Sequence, residues 1–269
     1  MRIAYLLQET GISATARLVA AQADALIDRG HEVRIVSAES APMWRSSRAE
    51  WVDVDDLRRY TPQSDEIIVD AKSDIVQNNP IVDDDFFRDR LPRENAPLRV
   101  LIAGGSQVEE KGLGEAYGAA AHARWFHQTL DLVRVSPWAP SREEPLDDVQ
   151  EFHVALNERE MTRLMHSCDV LVAANRREDP LSLTTLEALA SGLVCVLTAT
   201  PNHLALGEDA AVFAPPDNAV ELGEKLIEVI EDRDLRQRLR TRGREVAEQF
   251  RAANVVTRLE ALLLAQTLH

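Results

Sequence analysis

The chain has 269 residues, a formal net charge of −15 and two cysteines. That acidity excludes an electrostatic hold on nucleic acid or on anionic lipid, and no apolar run approaches the roughly 20 residues that span a bilayer. Met1-Arg-Ile opens without the apolar core and small-residue cleavage site of a signal peptide, so a soluble cytoplasmic protein with no membrane span and no nucleic-acid partner is expected.

Hydrophobic periodicity sets the elements in chain order. Arg2-Ile-Ala-Tyr-Leu-Leu7 predicts a strand. Residues 15–29 predict an amphipathic helix with Leu18, Val19, Ala23, Leu26 and Ile27 inward and Gly30 at its end, and the strand Glu32-Val-Arg-Ile-Val36 follows. Residues 40–48, with Pro42 and three serines, read as a loop, and Glu50–Val54 and Glu66–Val69 as short strands. Asp74-Ile-Val-Gln77 leads into Asn78-Asn79-Pro80. Residues 83–98, broken by Pro92 and Pro97, read as an interdomain connection. Asp83-Asp84-Asp85 within it reads as a solvated, helix-starting cluster rather than a metal site.

The remainder alternates. A strand (Arg99 to Ala103), a helix (Gly112 to Thr129), a strand (Leu130 to Val135), a loop with four acids at 143–148 and a strand (Glu151 to Ala155) are followed by a helix from Asn157 and a strand (Val170 to Ala173). Then come a helix (Thr184 to Ala190), the strand Leu193-Val-Cys-Val-Leu197, helices over 217–231 and 233–249 capped by Asp217 and Asp232, and a tail helix from Ala252 to Leu268. Such alternation implies an α/β architecture with parallel sheets covered on both faces. Cys168 and Cys195 fall in or beside core strands without metal-ligand spacing and read as buried reduced thiols. The domains expected are 1–82, a linker at 83–98, a second domain at 99–250, and a terminal helix at 251–269.

Residues 178–192 are the most informative stretch, because Asp179 and Glu187 flank a loop-to-helix junction. Pro180 suits the first residues of a helix, and Gly192 ends it, so Asp179 lies just before the helix and Glu187 about two turns in. Unpaired N–H groups and the positive dipole end of a helix bind phosphate oxygens, while a carboxylate accepts two bonds from vicinal ribose hydroxyls. The junction is therefore a place for a sugar nucleotide. The alternative is that Asp179 caps the helix and Glu187 decorates it.

These blocks resemble the GT-B glycosyltransferases, in particular the retaining family 4 type (glycosyl transferases group 1). Asp179-x7-Glu187 with Ala188-Leu-Ala-Ser-Gly192 is similar to that family's acid motif, and Val100-Leu-Ile-Ala-Gly-Gly105 with Glu110-Lys111-Gly112 is similar to the start of its nucleotide domain. Asn157–Met161 running into Cys168–Val172, and the N-terminal strand, helix and strand, resemble further family blocks.

The resemblance implies two Rossmann-like domains, the N-terminal one reduced. It implies transfer of a sugar from a nucleoside-diphosphate donor to an unknown acceptor with retention, without a metal or other cofactor. At matching positions it implies Lys111 at the diphosphate, Asp179 at the donor sugar and Glu187 at the ribose. Gly105, Ser106, Ser182, Leu183 and Thr184 are then donor-binding, His153 borders the base, and the terminal helix crosses back onto the first domain. Four departures stand beside it. Ser106 occupies the place of a basic residue, Asp179 stands for the usual Glu, Pro180 and Ser182 replace two glycines, and there is no histidine between His31 and His122 to match the family's catalytic one. They favour the alternative of a non-catalytic relative that binds nucleotide or a protein partner, and a reduced first domain implies self-association.

Overall fold

A computed structural model describes residues 1–11, 13–40, 47–89, 97–105, 108–127, 129–176 and 182–266. The chain divides into two compact units, Met1–Asp84 with Gln249–His269, and Asp85–Glu248. No helix among the described residues is long and apolar enough to cross a membrane.

The first unit is a parallel sheet of β1 (Arg2–Leu7), β2 (Glu32–Ser37), β3 (Glu50–Asp53) and β4 (Glu66–Asp70) in the order β3-β2-β1-β4. Helix α1 (Ala14–Asp28) links β1 to β2. Ser13 caps it by accepting from the Ala16 N–H, and Gly30, at φ +83°, takes the left-handed turn that leads into β2. The central strand is apolar on both faces, with Ile3, Ala4 and Tyr5 fully buried, as a covered parallel strand requires. One buried polar chain crosses this core. The Tyr5 hydroxyl donates to Gln22 Oε1 at 3.2 Å, and Gln22 Nε2 donates to the carbonyls of Val76, in α2 (Asp74–Gln77), and Asn79 at 3.0 and 2.8 Å. Val255, Leu259 and Leu263 of the terminal helix (Ala252–Gln266) are buried in this unit, and Glu260 accepts from Arg29 Nη2 at 3.0 Å.

The second unit carries six parallel strands, β5 (Arg99–Ala103), β6 (Asp131–Ser136), β7 (Val149–Val154), β8 (Val170–Ala173), β9 (Val194–Thr198) and β10 (Val212–Ala214). Their order is β10-β9-β8-β5-β6-β7. The helices are α3 (Leu113–Phe126), α4 (Glu158–Ser167), α5 (Leu183–Ala190), α6 (Pro201–Leu204), α7 (Ala219–Glu231) and α8 (Arg233–Glu248). Asn157 and Glu160 close a reciprocal capping box at the start of α4. Asp232 caps α8 through the Leu235 N–H, whereas α7 is capped by Asn218 and not by Asp217. Asp217 sits at φ +59°, outside the helix, and turns its carboxylate to Arg176. Cys168 and Cys195 are free and buried, and burial raises both thiols.

The strand order fixes where a ligand can sit. The chain runs from β5 outward through β6 to β7, then returns to the other side of β5 for β8, β9 and β10. The connections therefore leave β5 and β8 in opposite directions, opening a crevice beyond the carboxyl ends of these two neighbours.

Candidate functional site

Three segments meet at that crevice, the turn after β5, the end of β6 and the end of β8, and α5 is the next helix after β8. The turn after β5 begins with Gly104 and Gly105. At Gly104, φ +131°, a Cβ would stand 3.3 Å from Lys111 Cγ, so the aliphatic stem of Lys111 lies against this residue. At Gly105 a Cβ would stand 2.3 Å from Cζ3 of Trp138, so the indole fills the space where a side chain would be. Lys111 ends the 3-10 turn Glu109–Lys111 and is half-buried. Gly112, at φ +57°, then packs against the Ala174 carbonyl at the end of β8 and passes the chain into α3. Lysine and strand end are thus held together by a glycine that admits no side chain.

On the β8 side, Asn175 is buried and its carbonyl accepts from Thr198 Oγ1 at 2.6 Å, joining the ends of β8 and β9. His203 is buried, its Nδ1 2.9 Å from the Thr198 carbonyl. Ser182 is the N-cap of α5, but its side chain makes no capping bond. Leu183 is buried, Thr184 is half-buried, and Glu187 is buried one turn further on, at 2% exposure. The hydroxyls of Thr185 and Ser191 are buried with no hydrogen-bond partner among the described residues.

Gly105 and Lys111 lie at the β5–β8 switch, and Leu183, Thr184 and Glu187 lie on α5, the next helix after β8, with Ser182 at its N-cap. Ser106, Asp179 and Pro180 lie outside the described residues. His153 lies on the edge strand β7, paired with Val135 near the end of β6, and its Nε2 is 3.1 Å from Glu151 Oε2.

Two residues of the crevice escape a reading from sequence. Arg176 follows β8 and draws three carboxylates to its guanidinium: Glu115 at 2.5 Å, Glu109 at 3.2 Å and Asp217 at 3.3 Å. The Glu115 hydrogen bond leads in raising the Arg176 pKa, so this cation stays charged, and it ties the Lys111 turn and the start of α3 to the end of β8. Burial pushes the Glu115 carboxyl up, and bonds from Arg176 and a backbone N–H more than offset it. The second residue is Trp138. Arginine beside the acid motif, and tryptophan between Pro137 and Pro140, were the signals available for them.

Residues 139–246, from the loop after Trp138 to the end of α8, match the family described as glycosyl transferases group 1. Over this segment the chain is similar to the group 1 glycosyl transferases. The chain is similar to sucrose-phosphate synthase from Thermosynechococcus elongatus, at 13% identity and a TM-score of 0.74, with 99% of each chain covered. It is also similar to WaaG, a glycosyltransferase of lipopolysaccharide biosynthesis, at 14% identity and a TM-score of 0.70, covering 97% of this chain and 99% of that one. A third likeness is to HepE of Anabaena in complex with UDP-glucose, at 11% identity and a TM-score of 0.65, covering 98% of this chain and 100% of that one. At these identities the likeness establishes the fold, which is GT-B: α/β, with two parallel sheets. No curated protein sequence matches the chain.

Proposed function

We propose that the chain is a retaining glycosyltransferase of the family 4 type that takes its sugar from a nucleoside diphosphate. The observation that supports this reading is the packing of the Lys111 turn onto the end of β8, the strand from which the chain passes to the start of α5. Both features favour negative charge there. Lys111 and the α5 N–H groups hold the diphosphate, with the Ser182 hydroxyl as a further donor. Glu187 takes the ribose hydroxyls, and Asp179 the donor sugar.

In the reaction the bond from the anomeric carbon to the diphosphate oxygen breaks, and a bond to an acceptor hydroxyl forms on the same face. The acceptor proton leaves with the departing diphosphate. The protein's part is to stabilise charge on that leaving group in a fixed geometry, which requires no metal in this reading. Because HepE is complexed with UDP-glucose, UDP-glucose is the first donor to test.

A second reading, nucleotide binding without transfer, is favoured by one observation. Arg176, a cation after β8, has its charge engaged by the carboxylates of Glu109, Glu115 and Asp217.

A thermal-shift panel of UDP, GDP, ADP, dTDP and their common sugars, on this chain and on Lys111→Ala and Glu187→Ala, separates the outcomes. Ligand at 100 times its dissociation constant adds about 2.7 kcal/mol, a shift of several degrees. A shift for one base that both substitutions abolish supports the donor site, and sugar release from the same nucleotide in an assay then supports transfer. A folded chain that responds to none of them overturns the donor reading.

A further inference from the structure

We propose that Trp138 is the stacking platform for the nucleobase of the bound nucleotide. The inference rests on the nucleotide-binding reading above and adds the residue that recognises the base. Trp138 begins the loop after β6, on the crevice side of the sheet, and keeps 46% of its surface exposed. It meets Gly105 through Cε3 and Cζ3 of its six-membered ring. A large exposed aromatic is costly to leave in water, so one fixed beside a crevice points to a flat apolar partner.

The neighbours of the ring define that partner. Gly104 and Gly105 are consecutive, and the first is covered by the Lys111 stem and the second by the Trp138 ring. Consecutive Cα atoms stand about 3.8 Å apart, so a cationic side chain and an aromatic ring flank one short piece of backbone. A nucleotide presents the complementary pair, a flat base and an anionic phosphate. Lysine at the phosphate leaves tryptophan at the base.

Three devices hold the ring in place before any ligand arrives. The Trp138 N–H donates to Ser136 Oγ at 3.1 Å, which sets the turn after β6. Pro137 and Pro140 restrict the backbone on both sides. Further along the same loop, Glu144 is drawn inward. It accepts from Arg134 Nε at 2.8 Å and from the Tyr117 hydroxyl at 2.8 Å, and the side chains of Arg134 and Glu144 are 0% and 2% exposed. A platform fixed in advance loses little freedom when a base stacks on it. Stacking also tolerates any base, because each has a π face, so Trp138 supplies affinity for nucleotides as a class.

The test follows tryptophan emission while UDP, GDP, ADP, dTDP and pyrophosphate are titrated into the wild-type chain, Trp138→Phe and Trp138→Ala. Affinities are measured in parallel by calorimetry, and folding is checked by urea midpoints. A saturable change in emission with a nucleotide, absent with pyrophosphate, is expected in the wild type. Trp138→Phe is expected to lose the emission change while staying within about threefold of wild-type affinity, since a ring remains. Trp138→Ala is expected to bind the nucleotide about tenfold more weakly while its pyrophosphate affinity is unchanged, which general loosening of the site would not produce. Persistence of the emission change in Trp138→Phe, or wild-type nucleotide affinity in folded Trp138→Ala, overturns this inference alone. Absence of nucleotide binding to the wild type overturns it together with the reading it rests on.

Discussion

Gly112 packs directly on Ala174: a Cβ added to the glycine would lie 1.9 Å from the Ala174 carbonyl oxygen. The contact joins the Lys111 turn to the end of β8, strands of chain some sixty residues apart, and it combines two demands on one residue. The backbone is left-handed at φ +57°, and the neighbour is main chain that cannot rotate away.

Gly112→Ala is therefore expected to cost about 3 kcal/mol, adding left-handed strain to overpacking. Urea unfolding measures it. Gly114→Ala is the control, because nothing lies within 4 Å of its Cβ position and the start of α3 tolerates alanine. Equal stability of the two variants would show that the turn can move off β8 without cost.

Glu144→Ala is expected to destabilise the second unit by about 3–5 kcal/mol, because it strips the partner from a buried guanidinium. Arg134 also donates to the adjacent Val135 carbonyl and lies 5.6 Å from the centroid of the Phe152 ring, contacts that hold the charge inside when the carboxylate is gone. The double variant Arg134→Met with Glu144→Leu is expected to recover most of the loss, since the pair then leaves no uncompensated charge. Urea unfolding of both single variants and the double variant closes the cycle, and additive losses would refute the coupling.

How much of this was legible in the sequence depends on range. Strands β1, β2, β5 and β9 and helices α1 and α5 are readable because an apolar run or a 3.6-residue stripe is bounded by a local stop such as Gly30 or Gly192. Val212–Ala214 and Pro201–Leu204 are too short to show a period, and they exist because β9 and its neighbours hold them. The cap of α7 fell one residue from its predicted place because Asp217 has a better partner in Arg176, which no local pattern reveals. The same holds in the site. Lys111 and the residues of α5 carry a motif and could be named, whereas Trp138 and Arg176 gain significance only when β6 and β8 flank β5, an order set by the whole sheet. His153 could be assigned to its strand, but the edge position of that strand is a property of the finished sheet.

Acid sensitivity is expected from Glu151. The hydrogen bonds from Arg99, at 2.5 and 2.8 Å, lead in lowering its pKa from 4.5 to about 2. A carboxylate depressed in the folded state contributes stability that is fully present above its unfolded pKa and is lost as pH falls through its folded value. The stabilising contribution of Glu151 is thus complete above pH 4.5 and fades towards pH 2. Glu151→Gln is expected to be less stable than the wild type at neutral pH, with the gap closing over that acid window. A gap that is unchanged at pH 2.5 would assign the loss to packing instead of charge. The side chain is 40% exposed, so screening by solvent and salt keeps the effect small.

Lys111 provides the sharpest separation of phosphate from base. Its half-buried stem covers Gly104, so Lys111→Met keeps that cover and removes only the ammonium. A charge-assisted hydrogen bond contributes about 1.5–3 kcal/mol, so nucleoside diphosphate binding is expected to weaken roughly 10- to 100-fold in this variant. The uncharged nucleoside has no phosphate for Lys111 to hold, and its affinity is expected to stay at the wild-type value. Lys111→Arg is expected to recover part of the loss, because the charge returns on a longer and planar group. Calorimetric titration of nucleoside and nucleoside diphosphate into the three proteins reads all of these. Equal weakening for nucleoside and diphosphate in Lys111→Met would place the lysine outside the phosphate subsite and make it a support for the Gly104 turn.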